Sequence, residues 1–313
     1  MERHGIARLD GGAIAPAHLR GGIVALGNFD GFHLGHQAVV GRAVERARAQ
    51  RRPALVATFD PHPVRFFRPD AAPFRLTTLD QRARLFAAAG VDAMVVFRFD
   101  AALAALEAAA FVRERLVENL AIAGVVTGED FTFGKGKSGN AATLAGFGDA
   151  LGFVAETVGA VALDGAPVSS TRIRDALTAG DPRTAARLLT RPFAIEGMVQ
   201  HGDKLGRTIG YPTANVDMGR YLRPRYGIYA VEGVLPGGRV VGGAANLGVR
   251  PTFDPPKELL EPYFFDFSGD LYGQAIEVRL IEFLRPEAKF DSLDALTAQM
   301  ERDCARARAL LAG

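Results

Sequence analysis

His33 and His36 stand three apart in GNFDGFHLGH (residues 27–36), directly behind the apolar run Ile23, Val24, Ala25, Leu26. Imidazoles can donate hydrogen bonds to phosphoryl oxygens as charge builds in a transition state. Gly27, Gly31 and Gly35 let the backbone approach a ligand closely. If a helix begins near Gly35, His33 lies in the loop before it and His36 in its first turn. The unpaired N–H groups of that helix start then add a positive pole suited to phosphate. Taken alone, the pair also fits loop histidines facing solvent, whereas a metal pair has no third ligand nearby. A second group is VSSTRIRDAL (168–177), where the hydroxyls of Ser169, Ser170 and Thr171 precede Arg172 and Arg174. Hydroxyls beside two guanidinium groups suit a triphosphate. The same cluster also reads as an ordinary helix N-cap.

The second half holds HGDKLGRTIGYPTANV (201–216). Gly202, Gly206 and Gly210 with Lys204 and Arg207 form a basic loop able to cover phosphates. In the following Pro212-Thr213-Ala214-Asn215, Thr213 and Asn215 would face the same side of a strand. Such hard oxygen donors suit Mg2+ held partly by substrate phosphates, and a polar strand end is the other reading. GKGKSG (134–139) fits G-x-G-x-x-G but is lysine-rich and does not open a helix off a strand. Lys135 and Lys137 fit a solvated loop as well as a phosphate contact.

These residues need elements to hold them. GGIVALG, PALVATF, DAMVVFRF and AGVVTG read as buried strands. They alternate with the helical stretches HQAVVGRAVERARAQ, TLDQRARLFAAA (stopped by Gly90) and AALAALEAAAFVRERLVENL, the last expected as one long helix. That alternation predicts an α/β domain, a doubly wound parallel sheet with helices on both faces, whose ligands bind beyond the carboxyl ends of the strands. The histidine loop lies at one such end. Near residue 190 the pattern changes, with Pro192 blocking helix continuation. From Phe193 to Arg285 short strands broken by Gly and Pro predict a compact antiparallel β-barrel. A terminal helix follows, with Asp291 or Ser292 as N-cap and Leu293, Leu296, Met300, Cys304, Ala307 and Leu311 on one face. Cys304 then reads as a packed apolar residue.

The 313 residues are 48% hydrophobic, enough for a large core, and the net charge of +2 argues for neither nucleic-acid nor membrane binding. A single cysteine excludes an intramolecular disulfide and fits a reducing compartment. No apolar run approaches about 20 residues and no signal-peptide pattern opens the chain. These features predict a cytoplasmic protein, and a monomer or weak homo-oligomer is expected. Tryptophan is absent, so stacking on a flat ring would fall to Phe or Tyr.

GNFDGFHLGH and SSTRIR together resemble the nucleotidyltransferase module of the bifunctional prokaryotic FAD synthetases, the riboflavin kinase/FMN adenylyltransferase family. ATFDPHPVRFF (57–67) and TGEDFTFGKGKSGN (127–140) match that module in the same order. The resemblance implies that His33 and His36 are catalytic. It implies that Ser170, Thr171, Arg172 and Arg174 close over a triphosphate on a mobile loop. Gly27, Asn28, Phe29, Asp30, Phe59, Asp60, Gly128, Asp130 and Phe131 would line the ATP and flavin sites. GYPTAN, YGIYAV, ANLGVRPTF and LLEPYFFDFSGDLYG resemble the riboflavin kinase module. Here the resemblance implies ATP and flavin binding by Gly202, Lys204, Gly206, Arg207, Gly210, Pro212, Thr213 and Asn215, with Mg2+ on Thr213 and Asn215. Glu261 would be the catalytic carboxylate. The family's E-x-H-x-x-D-F segment reads Glu261-Pro262-Tyr263-Phe264-Phe265-Asp266-Phe267, with Tyr263 where histidine is usual.

The resemblance covers roughly residues 12–311. It implies an adenylyltransferase domain at 1–186 and a kinase domain at 187–313, with riboflavin, FMN, FAD and ATP as ligands. Rival readings are a chain with one inactive half, a flavin-binding sensor, and adenylyl transfer to another phosphate acceptor.

Overall fold

The structure, a computed structural model, describes residues 6–201, 211–250 and 257–312. The chain divides into two compact units. One comprises Glu2–Ala72 and Thr77–Ser169, the other Pro73–Leu76 and Ser170–Gly313.

The first unit is built on six parallel strands: β1 (Ala7–Asp10), β2 (Ile23–Leu26), β3 (Ala54–Asp60), β4 (Ala93–Arg98), β5 (Gly124–Gly128) and β6 (Val154–Val158). Their order across the sheet is β1-β4-β3-β2-β5-β6, every neighbour pair parallel. Strand order reverses between β2 and β5, which opens a crevice at their carboxyl ends. Side chains alternate as a pleat requires: Ile23 and Ala25 join one core layer, Val24 and Leu26 the other. Helix α1 (Leu34–Ala49) buries Val39, Val40, Ala43, Val44 and Ala47 along one stripe. Helix α2 (Leu79–Ala88) opens with a capping box between Thr78 and Gln81 and stops at Gly90, whose φ is +84°. Helix α3 (Ala141–Leu151) is capped by Asn140.

The single long helix expected after β4 does not form. A short turn at Ala101–Ala104 ends, and the chain restarts at Ala108–Ala110 into a wide turn over Phe111–Glu118, where the Asn119 N–H reaches the Glu114 carbonyl. The cause is tertiary. The Leu106 carbonyl accepts from the Lys135 N–H at 2.9 Å, and Gly134 lies against the Ala108 backbone so closely that a Cβ there would sit 2.8 Å from it. GKGKSG is the turn of a small hairpin pairing Thr132–Phe133 with Gly139–Asn140, so it opens no helix off a sheet strand.

The second unit begins with α4 (Ser170–Ala179) and α5 (Pro182–Leu189), which ends ahead of Pro192. Six antiparallel strands then close a barrel: β7 (Phe193–Gln200), β8 (Asn215–Asp217), β9 (Gly227–Val234), β10 (Val240–Arg250), β11 (Lys257–Phe264) and β12 (Ala275–Arg285), in the order β7-β8-β11-β10-β9-β12. Closure leaves no edge exposed. Arg75 adds a short parallel bridge beside Tyr221. The terminal helix α6 (Leu293–Leu311) has Ser292 as its N-cap, accepting from the Ala295 N–H at 3.1 Å. It packs Ala307, Cys304 and Leu311 against Ala230, Ala244 and Leu284 on the outside of the barrel. Its expected apolar face needs correcting at two positions. Leu293 is 55% exposed, and Asp303 is buried instead, taking hydrogen bonds from Arg285 Nη2 at 2.7 Å and Gln299 Nε2 at 2.9 Å.

Candidate active sites

The histidine loop occupies the switch-point crevice. It runs from the end of β2 into α1, and His33 is the N-cap of that helix. The His36 N–H donates to His33 Nδ1 at 3.3 Å, so a neutral His33 ring carries its proton on Nε2. The two imidazoles stack with centroids 3.6 Å apart, and Phe29 meets the His36 ring edge-on at 5.3 Å. Two donor rings thus sit on a helix N-terminus, the arrangement predicted for binding phosphate. Asn28 Oδ1 is buried and meets no hydrogen-bond partner among the described residues, and neither does Thr127 Oγ1 near the end of β5. The orphaned Asn28 oxygen, in the loop that enters the crevice, suits a polar ligand that completes it.

Other predicted residues hold different positions. Asp30, 4% exposed, accepts from the Thr77 N–H at 3.0 Å, which makes it a fixing point of the loop. Phe59 is buried among Phe97, Phe99 and Phe111. Asp60 accepts the Phe99 N–H through its carbonyl. The Gly27 N–H donates to the Ala57 carbonyl. Gly128 ends β5, the exposed Asp130 follows it, and Phe131 stacks on Phe133. Ser170, Thr171, Arg172 and Arg174 lie in the first turns of α4. Arg174 Nε donates to the Phe74 carbonyl at 2.9 Å, with its guanidinium 5.3 Å over the Phe74 ring. Residues two apart on a helix diverge by about 200°, so Arg172 and Arg174 leave α4 on opposite sides.

Sequence reading did not single out Phe66, Phe67 and Phe99. They form an edge-to-face cluster with centroids 5.1 to 5.7 Å apart, beyond the ends of β3 and β4. Phe67 is 65% exposed, an uncovered aromatic face in a protein without tryptophan. The double phenylalanine behind PHP was the available signal.

In the barrel, Glu261 lies on β11 opposite Asn246 of β10. The register of β8 against β11 pairs Val216 with Leu260, which sets Asn215 opposite Glu261 on the other side. Asn215, Glu261 and Asn246 therefore form one polar row across three strands. The Ala214 N–H donates to the Pro262 carbonyl at 3.0 Å, which extends the ladder up to the half-buried Thr213. The strand begins only at Asn215, so Pro212 and Thr213 sit in the segment that enters it. Asn246 Nδ2 donates to Glu287 Oε1 at 3.3 Å, while its Oδ1 is buried without a partner among the described residues. Glu258, three residues before Glu261, is committed elsewhere. Burial works to raise its pKa, but hydrogen bonds from Tyr226 and from Arg223, the latter at 2.7 Å, hold it below the usual range.

Tyr263 shares the outward side of β11 with Glu261. It packs on Tyr211 at 5.1 Å and Phe265 at 5.9 Å, beneath α6. Its position is one of packing. Gly202, Lys204, Gly206, Arg207 and Gly210 lie outside the described residues.

No helix among the described residues is long and apolar enough to cross a membrane. The FAD synthetase family profile matches residues 15–172, and the riboflavin kinase profile matches residues 189–311. The chain is 41% identical to the bifunctional riboflavin kinase/FMN adenylyltransferase of Escherichia coli K12, over 94% of both chains. It is 43% identical to the protein of that name from Pseudomonas fluorescens, over 96% of both. A crystal structure from Streptococcus pneumoniae, described as a macrolide-efflux protein, superposes with a TM-score of 0.85 at 32% identity, covering 95% of this chain and 97% of that one. With both profiles in tandem and relatives matched almost end to end, the chain belongs to the bifunctional riboflavin kinase/FMN adenylyltransferase family.

Proposed function

We propose that the chain makes FMN from riboflavin and ATP, then FAD and pyrophosphate from FMN and a second ATP. The observation that supports this reading is two polar constellations of different chemistry in one polypeptide. One is a histidine-capped helix start with no activated nucleophile; the other is a carboxylate in a polar row on a barrel wall. The functional modules are assigned to residues 1–186 and 187–313.

In the kinase step Glu261 accepts the proton of the ribityl 5′-hydroxyl as that oxygen attacks the γ-phosphorus of ATP, the bond from that phosphorus to the bridging oxygen breaks, and ADP leaves. The residues present fit Mg2+: Thr213 and the buried Asn215 offer neutral hard oxygens beside Glu261. When bound, the ion would offset phosphate charge. In the adenylyl step the FMN phosphate attacks the α-phosphorus of ATP and pyrophosphate leaves. A phosphate is already ionised at neutral pH, so this step needs no general base. His33, His36 and the start of α1 orient the phosphates and offset their charge, and Asn28 offers an acceptor oxygen to an N–H or O–H of the ligand. Ser170, Thr171, Arg172 and Arg174 contact the triphosphate, which requires Arg174 to exchange Phe74 for the nucleotide. Phe66 and Phe67 offer the isoalloxazine ring an aromatic face. The protein is assigned to the cytoplasm as a monomer or weak homo-oligomer, without nucleic-acid or membrane partners.

The test is one incubation of protein, riboflavin, ATP and Mg2+, resolved chromatographically. FMN followed by FAD supports the whole reading. FMN alone leaves an inactive first half, and tight flavin binding without turnover points to a sensor.

A further inference from the structure

The loop 27–32 is bent into a shape that its residues resist. Phe29, Gly31 and Phe32 have φ of +49°, +87° and +44°. For the two phenylalanines this left-handed conformation is strained, and it persists only where surroundings over-determine it. The determinants come from one short stretch, the entry to α2 and its buried face. Thr77 donates to Asp30 Oδ1 through its N–H at 3.0 Å and its hydroxyl at 3.2 Å, and accepts the Gly31 N–H at 2.9 Å. The Phe86 ring meets Phe29 edge-on at 6.0 Å and Phe32 at 5.1 Å. Arg82 is one turn before Phe86 and 3% exposed. Its Nη1 donates to the Asn28 carbonyl at 2.9 Å and to Thr58 Oγ1 at 2.9 Å. The Thr58 hydroxyl donates in turn to the same Asn28 carbonyl at 2.9 Å.

We infer that Arg82, with Thr58 as relay, is a positioning residue for the adenylyl-transfer site. It grips the Asn28 carbonyl and so aims the Asn28 side chain, whose buried Oδ1 meets no hydrogen-bond partner among the described residues, at an N–H or O–H donor of the nucleotide or flavin. A buried guanidinium is costly and would be a poor choice for mere packing. Here it fixes one peptide plane through two donors, a task that an apolar residue of the same volume cannot perform. The inference rests on the adenylyltransferase reading of this crevice.

The test uses the full chain with Arg82→Met, Arg82→Lys and Thr58→Val. FMN-to-FAD conversion is measured, with riboflavin phosphorylation on the same preparations as the control. Arg82→Met is expected to lower kcat for FAD formation about tenfold or more, since small misplacements at a reacting centre carry losses of that order. Phosphorylation should stay within about twofold of the parent protein. Added guanidinium ion should restore part of the lost rate to Arg82→Met and none to Thr58→Val. Arg82→Lys should fall between, because an ammonium lacks the planar fork. Unchanged FAD formation in Arg82→Met would overturn the inference. So would parallel loss of both activities and of melting temperature without guanidinium rescue. Should Arg82→Met fail to fold, the isosteric Thr58→Val decides alone: a several-fold loss supports the inference and an unchanged rate refutes it. Parent protein that makes no FAD would remove the functional reading and this inference with it. Parent activity matched by every variant would remove only the inference.

Discussion

Glu261 and Asn246 face each other directly across the β10–β11 ladder. Asn246 is tied through Nδ2 to Glu287, so the amide beside the carboxylate has a fixed orientation. A carboxylate carried on a paired strand, beside an amide of fixed orientation, is held in one place on the barrel wall.

Glu261→Gln keeps the shape and removes the proposed base. FMN formation should fall by about 10²–10⁴-fold, the usual range for a lost general base. Conversion of supplied FMN to FAD should remain near the parent rate. Chromatography of both reactions checks this, and loss of both activities in a folded variant would refute the two-site assignment.

His36→Ala should show the converse pattern. It removes one donor ring and the stack on His33 at 3.6 Å. FAD formation is expected to drop about 10²–10³-fold, the scale seen for one lost transition-state donor. Riboflavin phosphorylation should be unaffected, and a rate measured with each substrate separately decides it.

Cys304 should be a sluggish thiol. Burial, then the nearby Asp303 charge, pushes its pKa up to about 11. A thiol with that pKa is only about 10⁻³ ionised at pH 8, and its alkylation rate should climb about tenfold per pH unit up to about pH 10. Iodoacetamide labelling followed by mass spectrometry across that range measures it. Rapid labelling at pH 7 would contradict the packed position.

Asp303→Ala should destabilise the barrel unit. The carboxylate is 9% exposed and holds Arg285 through contacts of 2.7 to 3.1 Å. Stranding the half-buried arginine should lower stability by about 2 kcal/mol, between the values for exposed and fully buried pairs, read from urea unfolding monitored in the second unit. A loss below about 1 kcal/mol would show the pair to be ornamental to folding.

Features with a local cause were legible in the sequence. Periodicity and stop signals located β2, α1, α2 and the barrel strands β7, β9, β10 and β12, and a helix start near Gly35 put His33 just before α1 and His36 in its first turn, although the capping role of His33 was not legible there. Features with a distant cause were not. The break at Leu106 depends on an N–H from Lys135, some 30 positions on, which overrides strong alanine propensity. Burial of Asp303 follows from Arg285 on another element. The role of Arg82 is hidden for the same reason: on a helical wheel it is an unremarkable polar residue, and only the fold brings Asn28 and Thr58 to it.

Residues Pro73–Leu76 belong to the barrel unit although the chain on both sides of them belongs to the sheet. Arg75 exchanges backbone hydrogen bonds with Arg220 and Leu222. The polypeptide is thus threaded, and no single scissile point divides it into two self-sufficient fragments. A protease nick or a gene split beyond residue 76 would strand this segment on the wrong piece, and two co-expressed pieces would regain the missing margin only by finding each other in solution. Covalent continuity therefore helps complete the second unit's own architecture, over and above keeping two consecutive reactions on one molecule.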